Sequence, residues 1–265
     1  MSLDFDTDRA VVGMVHLAAL PGAPDFDGDR AAVRDAALRD ARRLEAGGVD
    51  ALMVENFGDA PFYADDVPKH VVASMTALVR DLRRETDLTL GVNVLRNDAA
   101  AAVSVAAGAG ADFVRVNVHA GARLTDQGVV EGKAAEVVRL RDRLDADVSI
   151  LADVDVKHSA ALAERPLTEE VAELVERGHA DGVVASGAGT GHETDRDHLR
   201  AVVDARDDLG VDAPVFVGSG VTRETVNETL NLADGAIVGT ALKEDEETTA
   251  PVDEARVRAL VEEAR

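Results

Sequence analysis

The chain has 265 residues and carries 51 acidic against 28 basic side chains, which gives a formal net charge of −23. This charge argues against nucleic acids and anionic membranes as partners, because their phosphate groups would be repelled. Hydrophobic residues make up 46% of the chain, enough for a large core, and cysteine is absent, which excludes thiolate catalysis, disulfides and Cys-ligated zinc. The N-terminus is polar and no apolar run approaches the length of a bilayer span, so we expect a cytoplasmic protein without membrane insertion.

The basic residues are unusual because lysine is nearly absent among them. The only lysines are Lys69, Lys133, Lys157 and Lys243. High acidity, abundant alanine and scarce lysine resemble the cytosolic proteins of an extreme halophile such as a halophilic archaeon, where hydrated carboxylates keep the surface soluble. The alternative is an ordinary acidic protein from a GC-rich genome. In both cases most of the carboxylates serve solubility.

Short apolar runs alternate along the chain with longer segments of helical periodicity. The candidate strands are residues 11–17, 51–55, 89–95, 113–119, 148–154, 182–186, 215–218 and 236–239. Helical segments are expected at 30–46, 69–84, 98–107, 132–144, 168–177, 195–209, 222–230 and 252–264. Eight strand–helix units in this length predict a single (β/α)8 TIM barrel over residues 1–265, with a polar N-terminal segment at 1–10. A doubly wound sheet is the alternative, but it would not require eight repeats.

The junctions between helix and strand form a weak internal repeat. Glycine ends several helices, and an aspartate opens the next strand at Asp50, Asp112, Asp181 and Asp234. Such short turns are expected at the stabilising end of a barrel.

Alternation along the strands predicts which side chains line the barrel. In the fifth run, positions 148, 150, 152, 154 and 156 are all apolar and should face the helices. Asp153, Asp155 and Lys157 have the other parity and should project into the barrel mouth. The same reasoning directs further polar side chains inward near the C-terminal strand ends, where active sites of this fold lie: His16, Glu55, Asn93, Arg115, Asn117 and His119.

Glycine-rich segments follow the last three candidate strands. They contain Gly187, Gly189 and Thr190 after the sixth, Gly218, Ser219 and Gly220 after the seventh, and Gly239, Thr240 and Lys243 after the eighth. Glycines let main-chain N–H groups approach an anion, and loops seven and eight of this fold commonly bind phosphate. We therefore expect a small phosphorylated metabolite as the ligand, with Lys243 assisting.

The predicted mouth has several chemical uses, which the residues leave open. His16 and Asp153, on opposite sides of the barrel, suit general acid/base catalysis, with Lys157 and Glu55 as the further catalytic residues. A Schiff base at Lys157 ranks lower, because the adjacent carboxylates would raise its pKa. A divalent metal held by His16, Glu55, His119 and Asp153 is also chemically competent. Finally, Arg115 with Asp153 or Glu55 could form a buried structural ion pair.

Several segments together resemble the BtpA family, which includes SgcQ-type proteins. They are residues 12–24, 55–62, 91–98, 113–119, 127–133, 152–158, 218–221 and 239–243, so the resemblance covers nearly the whole chain. After Ser159 the family pattern has a proline, whereas this chain has Ala160, Ala161 and Leu162, so we expect that loop to differ.

The resemblance implies a barrel similar to the ribulose-phosphate-binding group, which agrees with the phosphate prediction. It supplies no settled reaction or proven catalytic residue. Two hypotheses follow: an isomerase or lyase acting on a phosphorylated sugar or nucleoside-derived metabolite, or a non-catalytic assembly factor of the kind that gives the family its photosystem I name. The sequence leaves open whether the chain forms a homo-oligomer.

Overall fold

Eight parallel strands close into a barrel, as the alternation of strands and helices predicts. The computed structural model describes residues 5, 7, 9–156, 158–163, 165–186 and 195–265. The barrel strands are β1 (Ala10–His16), β2 (Ala51–Glu55), β3 (Thr89–Asn93), β4 (Phe113–Val116), β7 (Ser149–Val154), β9 (Gly182–Ala185), β10 (Val215–Val217) and β11 (Gly235–Val238). They follow one another around the barrel in chain order, and β11 pairs with β1. The TIM-barrel prediction is confirmed.

Helices follow the strands and surround the barrel. They are α1 (Arg30–Gly47), α2 (Lys69–Glu85), α3 (Ala99–Ala109), α4 (Ala134–Arg143), α5 (Leu167–Ala172), α6 (Arg196–Leu209), α7 (Val226–Leu230) and α8 (Glu254–Ala264). Aspartates cap the N-termini of α1, α3, α6 and α8 by accepting main-chain N–H hydrogen bonds. Part of the acidity therefore stabilises helix ends. Among the described residues, none of the helices combines the length and apolarity needed to cross a membrane.

The repeated aspartates fasten the N-terminal end of the barrel. Asp50, Asp112, Asp181 and Asp234 each accept a hydrogen bond of 2.7–2.8 Å from a main-chain N–H of the neighbouring strand. Each also pairs with an arginine from a helix or the C-terminus. The internal repeat in the sequence is therefore a repeated structural bond between adjacent strands.

Apolar side chains fill two layers that follow the predicted parity. Val114, Ile150 and Ala152 pack between strands and helices, whereas Phe113 and Leu151 pack inside the barrel. The interior is closed at the N-terminal end by Phe113, Phe216 and Phe5. Gly91 is required beside Phe113, because a Cβ there would lie 2.3 Å from the ring. Aromatic rings therefore form the floor beneath the polar upper layer.

A small antiparallel sheet, which the sequence analysis did not predict, rises from the C-terminal end. Its strands are β5 (Ala122–Thr125), β6 (Gly128–Glu131) and β8 (Ala160–Ala161), in the order β6-β5-β8. Beneath it Val118 and Val156 pack with Val130, so Val156 does not face the barrel helices as its parity predicted. β8 lies where the chain departs from the family pattern.

Candidate active site

A cavity opens at the C-terminal end of the barrel between β1, β2, β10 and β11. It is lined by His16, Glu55, Arg115, residues 218–222, residues 239–241 and Glu246. The two described glycine segments and two predicted catalytic residues therefore border the same space. This is the end at which TIM barrels carry out chemistry.

His16 ends β1 and faces into this cavity. Its ring lies against Phe57, with centroids 4.9 Å apart, and its Nε2 is 3.9 Å from Glu55 Oε1. Gly239 is needed on the other side, since a Cβ there would lie 2.8 Å from His16 Cε1. The strand register places His16 directly beside Glu55. The two side chains are held together at the cavity wall.

The glycines after β10 and β11 bring main chain close to the cavity. A Cβ on Gly218 would lie 3.5 Å from Arg115 Nη1 and 3.3 Å from Ile237 Cβ. Gly220 has φ of +76°, which glycine adopts without strain. Gly218, Ser219, Gly220, Gly239 and Thr240 all line the cavity. Glycine at these positions lets the main chain border the cavity closely, although the Gly218 N–H itself donates to the Ala185 carbonyl at 3.0 Å.

Lys243 does not join the glycine loops, which corrects the expectation from sequence. Its Nζ donates to Asp40 Oδ2 at 2.7 Å, and the residue is only 1% exposed. Asp40 also accepts from the Val252 N–H, which ties α1 to the chain after β11. Burial lowers the pKa of Lys243, against the opposing charge and hydrogen bond of Asp40. This lysine forms a buried structural ion pair.

Asp153 and Arg115 form the buried ion pair that the sequence analysis held as an alternative. Arg115 Nε and Nη2 each donate to the Asp153 carboxylate at 2.8 Å. Asn117 and Ser186 also donate to Asp153 Oδ2, at 3.2 and 3.1 Å. Burial lowers the pKa of Arg115, but the charge and hydrogen bonds of Asp153 outweigh it and raise that pKa overall. A carboxylate with these donors is poorly placed to accept a proton from a substrate.

Asn93 and Asn117 extend this network across the barrel mouth. Asn93 Nδ2 donates to the Arg115 carbonyl at 2.9 Å and to Asn117 Oδ1 at 3.3 Å. Both asparagines are buried in the barrel interior, as predicted.

Two residues predicted in the mouth do not line the cavity of His16 and Glu55, because the strand alternation stops where the strands end. His119 lies three residues beyond β4, is buried, and contacts the Gly178 carbonyl through Nε2 at 2.8 Å. Asp155 follows β7 with φ of +55° and pairs with Arg123 of the small sheet. Asp155 borders a second cavity with Asn117 and Asp153, next to β8 and α5.

The remaining sequence-predicted positions fall outside the described residues. They are Lys157, Gly187, Gly189 and Thr190. The proposed metal ligands do not converge: within the described part of the chain, three or more histidine or acidic side chains do not cluster with metal-binding geometry. His119 is turned away, and Asp153 is bound by Arg115.

Arg96 is a mouth residue that the sequence analysis missed. It is 5% exposed, and the charges of Asp153, Glu55 and Arg115 act on it. Burial lowers its pKa. Its loop is fixed on both sides, since Asn56 Oδ1 accepts from the Leu95 N–H and Asn97 Nδ2 donates to the Val118 carbonyl. A basic residue three positions after Asn93, the inward-facing asparagine at the end of β3, was the signal available.

The comparisons with known proteins agree with this architecture. A family model described as the BtpA family matches residues 7–265. The chain belongs to the BtpA family. The photosystem I biogenesis protein BtpA of Synechocystis sp. is 42% identical to it over 258 residues, covering 97% of this chain and 88% of that protein. An uncharacterised protein of Thermococcus kodakarensis is 45% identical over 265 residues, covering 99% of this chain and 97% of its own length.

Solved structures place this BtpA-family chain among TIM barrels. N-(5'-phosphoribosyl)anthranilate isomerase from Pyrococcus furiosus superposes with a TM-score of 0.57 at 13% identity, covering 97% of this chain and 98% of that one. A likeness at this identity concerns the fold alone. The BtpA-family barrel must therefore be interpreted from its own site.

Proposed function

We propose that this BtpA-family barrel binds a phosphorylated sugar or nucleoside-derived metabolite and converts it by general acid/base chemistry, as an isomerase or lyase. The observation that carries the proposal is the single cavity shared by the two glycine loops, His16 and Glu55. One part of that cavity suits an anion, and the adjacent part holds groups that can transfer protons.

The phosphate lies against main chain of residues 218–220 and 239–240. Main-chain N–H groups are suited to this role in an acidic protein, because they attract an anion without adding a mobile surface cation. The Arg115 guanidinium beside Gly218 supplies further positive potential, which Asp153 partly neutralises. Lys243 takes no part.

His16 and Glu55 move the proton. Imidazole groups ordinarily titrate near neutral pH, which suits them to give and accept protons in turn. Glu55 Oε1 lies 3.9 Å from His16 Nε2, and the Phe57 ring and the Gly239 main chain restrict the position of the imidazole. Asp153, with its carboxylate bound by Arg115, positions the network and leaves the acid/base role to His16. Lys157 stays a candidate from the sequence alone.

The phosphate site is tested by thermal unfolding with inorganic phosphate and a panel of sugar phosphates. The measurements are made in molar potassium chloride, because the charge of −23 matches the halophilic interpretation. A ligand that binds only the folded protein raises the melting temperature with its concentration. The Gly218→Asp variant should lose this shift, because it places a carboxylate at the anion site.

Gly108→Asp is the matched control for this test. It adds the same charge at an exposed position of α3, where a Cβ would make only an ordinary 3.6 Å contact. This variant should keep the ligand-dependent shift. Equal shifts in wild type, Gly218→Asp and Gly108→Asp would rule out the glycine loops as the phosphate site.

The second candidate is a non-catalytic assembly or stability factor, which the name of the Synechocystis relative favours. Incubation of the protein with each stabilising sugar phosphate, followed by mass spectrometry and NMR of the ligand, separates the two. Conversion that is lost in His16→Gln supports the enzyme. Ligand binding without conversion of any compound supports the second candidate.

A further inference from the structure

The network beside the cavity has a fixed hydrogen-bond polarity, which begins at Asp153. Its carboxylate, paired with Arg115, can only accept hydrogen bonds. Asn117 must therefore direct its Nδ2 toward Asp153, as it does at 3.2 Å, and direct its Oδ1 the other way. The polarity of one carboxylate thus sets the orientation of the neighbouring amide.

The orientation of the Asn117 amide fixes the orientation of the Asn93 amide in turn. Its Nδ2 faces two acceptors, Asn117 Oδ1 at 3.3 Å and the Arg115 carbonyl at 2.9 Å. Reversing the amide would bring Oδ1 against both of these oxygens. Asn93 must therefore present Oδ1 on the side opposite to the network.

Asn93 Oδ1 is a buried acceptor with no hydrogen-bond donor among the described residues, and the side chain belongs to a residue that is 1% exposed. Buried polar atoms in proteins nearly always have a partner, so an exception at a strand end marks a place where a ligand can supply one. The missing partner must be a donor, such as a hydroxyl or an N–H group.

The position of Asn93 links this acceptor to the proposed substrate. In the strand register it lies between Glu55 and Arg115, and both of these line the cavity with the glycine loops. A ligand whose phosphate rests on residues 218–220 and extends toward Glu55 brings its carbon skeleton toward β3.

We propose that Asn93 recognises a hydroxyl group of the substrate through Oδ1, so that the site selects hydroxylated sugar phosphates over their deoxy analogues. This inference rests on the proposed phosphate site and adds a specificity-determining residue to it. A site built to accept a hydroxyl rejects the analogue without it, because the acceptor is then left unpaired in the complex.

The test measures dissociation constants by calorimetry for inorganic phosphate, ribose 5-phosphate, glucose 6-phosphate and the monodeoxy analogues of both sugars. We expect wild type to bind the preferred sugar phosphate about tenfold to a hundredfold more tightly than one of its deoxy analogues. Asn93→Leu and Asn93→Ala should bind both members of that pair equally. Both variants should retain affinity for inorganic phosphate.

Val184→Ala is the matched control, because it removes volume from the apolar layer inside the barrel and leaves the amide network in place. It should lower the melting temperature and keep the deoxy discrimination. Two variants at Asn93 guard against a folding failure of either one, and circular dichroism verifies that each is folded.

The outcomes separate this inference from the proposed function. If inorganic phosphate and the sugar phosphates bind but no deoxy analogue is discriminated, or if both Asn93 variants keep the discrimination, the hydroxyl assignment is overturned and the phosphate site stands. If neither phosphate nor any sugar phosphate binds wild type, the proposed function itself fails.

Discussion

The two sides of the barrel mouth are built from similar strand ends but use their polar groups in opposite ways. On the side of β4, β7 and β9, Arg115, Asn117, Asp153 and Ser186 bond to one another. On the side of β1, β2, β10 and β11, His16, Glu55 and the glycine loops border a cavity. A polar residue at a strand end therefore predicts that its side chain lies at the barrel mouth. Its role depends on whether other groups of the protein already bond to that side chain.

This difference explains how the barrel mouth combines a closed hydrogen-bond network with space for a ligand. The paired side holds charged groups that are costly to bury unless each has its partners. The cavity side uses main chain and glycine, which need no side-chain partner and leave room for a ligand. In the strand register Asn93 lies between the two sides, beside Glu55 on one neighbouring strand and Arg115 on the other.

The largest predicted effect is the loss of stability when the ion pair on the paired side is broken. Arg115→Met should lower the free energy of unfolding by about 3–5 kcal/mol, because it leaves the Asp153 charge buried without its main partner. Urea denaturation measures this, since urea leaves the ionic strength unchanged.

The double variant Arg115→Met/Asp153→Leu is the control for that prediction. Removing both charges should restore much of the lost stability, because the penalty comes from the unpaired charge. If the Arg115→Met variant loses less than about 1 kcal/mol of unfolding free energy, the ion pair contributes little to the stability of the paired side.

The same contrast explains which parts of the molecule the sequence could predict. Alternation inside the strands located the barrel and directed Asp153, Asn93, Glu55 and His16 inward, since burial on two faces imposes a period of two. Beyond the last strand residue that constraint ends. The side chains of His119 and Asp155 therefore do not point where the alternation predicted. The small sheet was not predicted because its strands have only two to four residues.

Lys243 and Arg96 show a second limit of the sequence. Its position after the eighth candidate strand suggested that Lys243 assists in binding phosphate, but the buried side chain pairs with Asp40 and so joins two distant segments of the chain. Arg96 is one of many arginines in this chain, so composition did not distinguish it. Whether a charged group meets a partner 203 residues away depends on tertiary structure.

Lys243 provides a sharper test of the cavity side. Lys243→Met should lower stability by roughly 2–3 kcal/mol, less than Arg115→Met, because Asp40 keeps its bond from Val252 and lies nearer to solvent. Phosphate affinity, measured by calorimetry, should change less than about twofold. A tenfold loss of phosphate affinity in a natively folded Lys243→Met protein would show that Lys243 contributes to anion binding after all.

Substitution of Gly239 tests whether the cavity side holds His16 in a fixed position. Gly239→Ala places a methyl group 2.8 Å from His16 Cε1, so the imidazole must move. We expect about 1–2 kcal/mol of lost stability from overpacking and a much larger relative loss of any conversion that depends on His16. Gly108→Ala is the control, since its methyl group meets only ordinary contact. Full conversion by Gly239→Ala would show that His16 is not held in a catalytic position.

The smallest expected effect concerns His119, which was predicted in the mouth and lies outside it. Burial lowers the pKa of His119, against the hydrogen bond to the Gly178 carbonyl, so the folded protein holds a neutral ring. Below the ordinary histidine pKa of about 6.5, the unfolded chain takes up this proton before the folded one does. The contribution of His119 is therefore complete above that pH and is lost as the pH falls, by at most about 1.4 kcal/mol per pH unit. Urea denaturation over about two pH units around the histidine pKa, from roughly pH 7.5 to 5.5, should give a shallower loss of unfolding free energy for His119→Gln than for wild type. Parallel pH profiles for the two proteins would mean that the pKa of His119 is the same in the folded and the unfolded chain, which contradicts the effect of its burial.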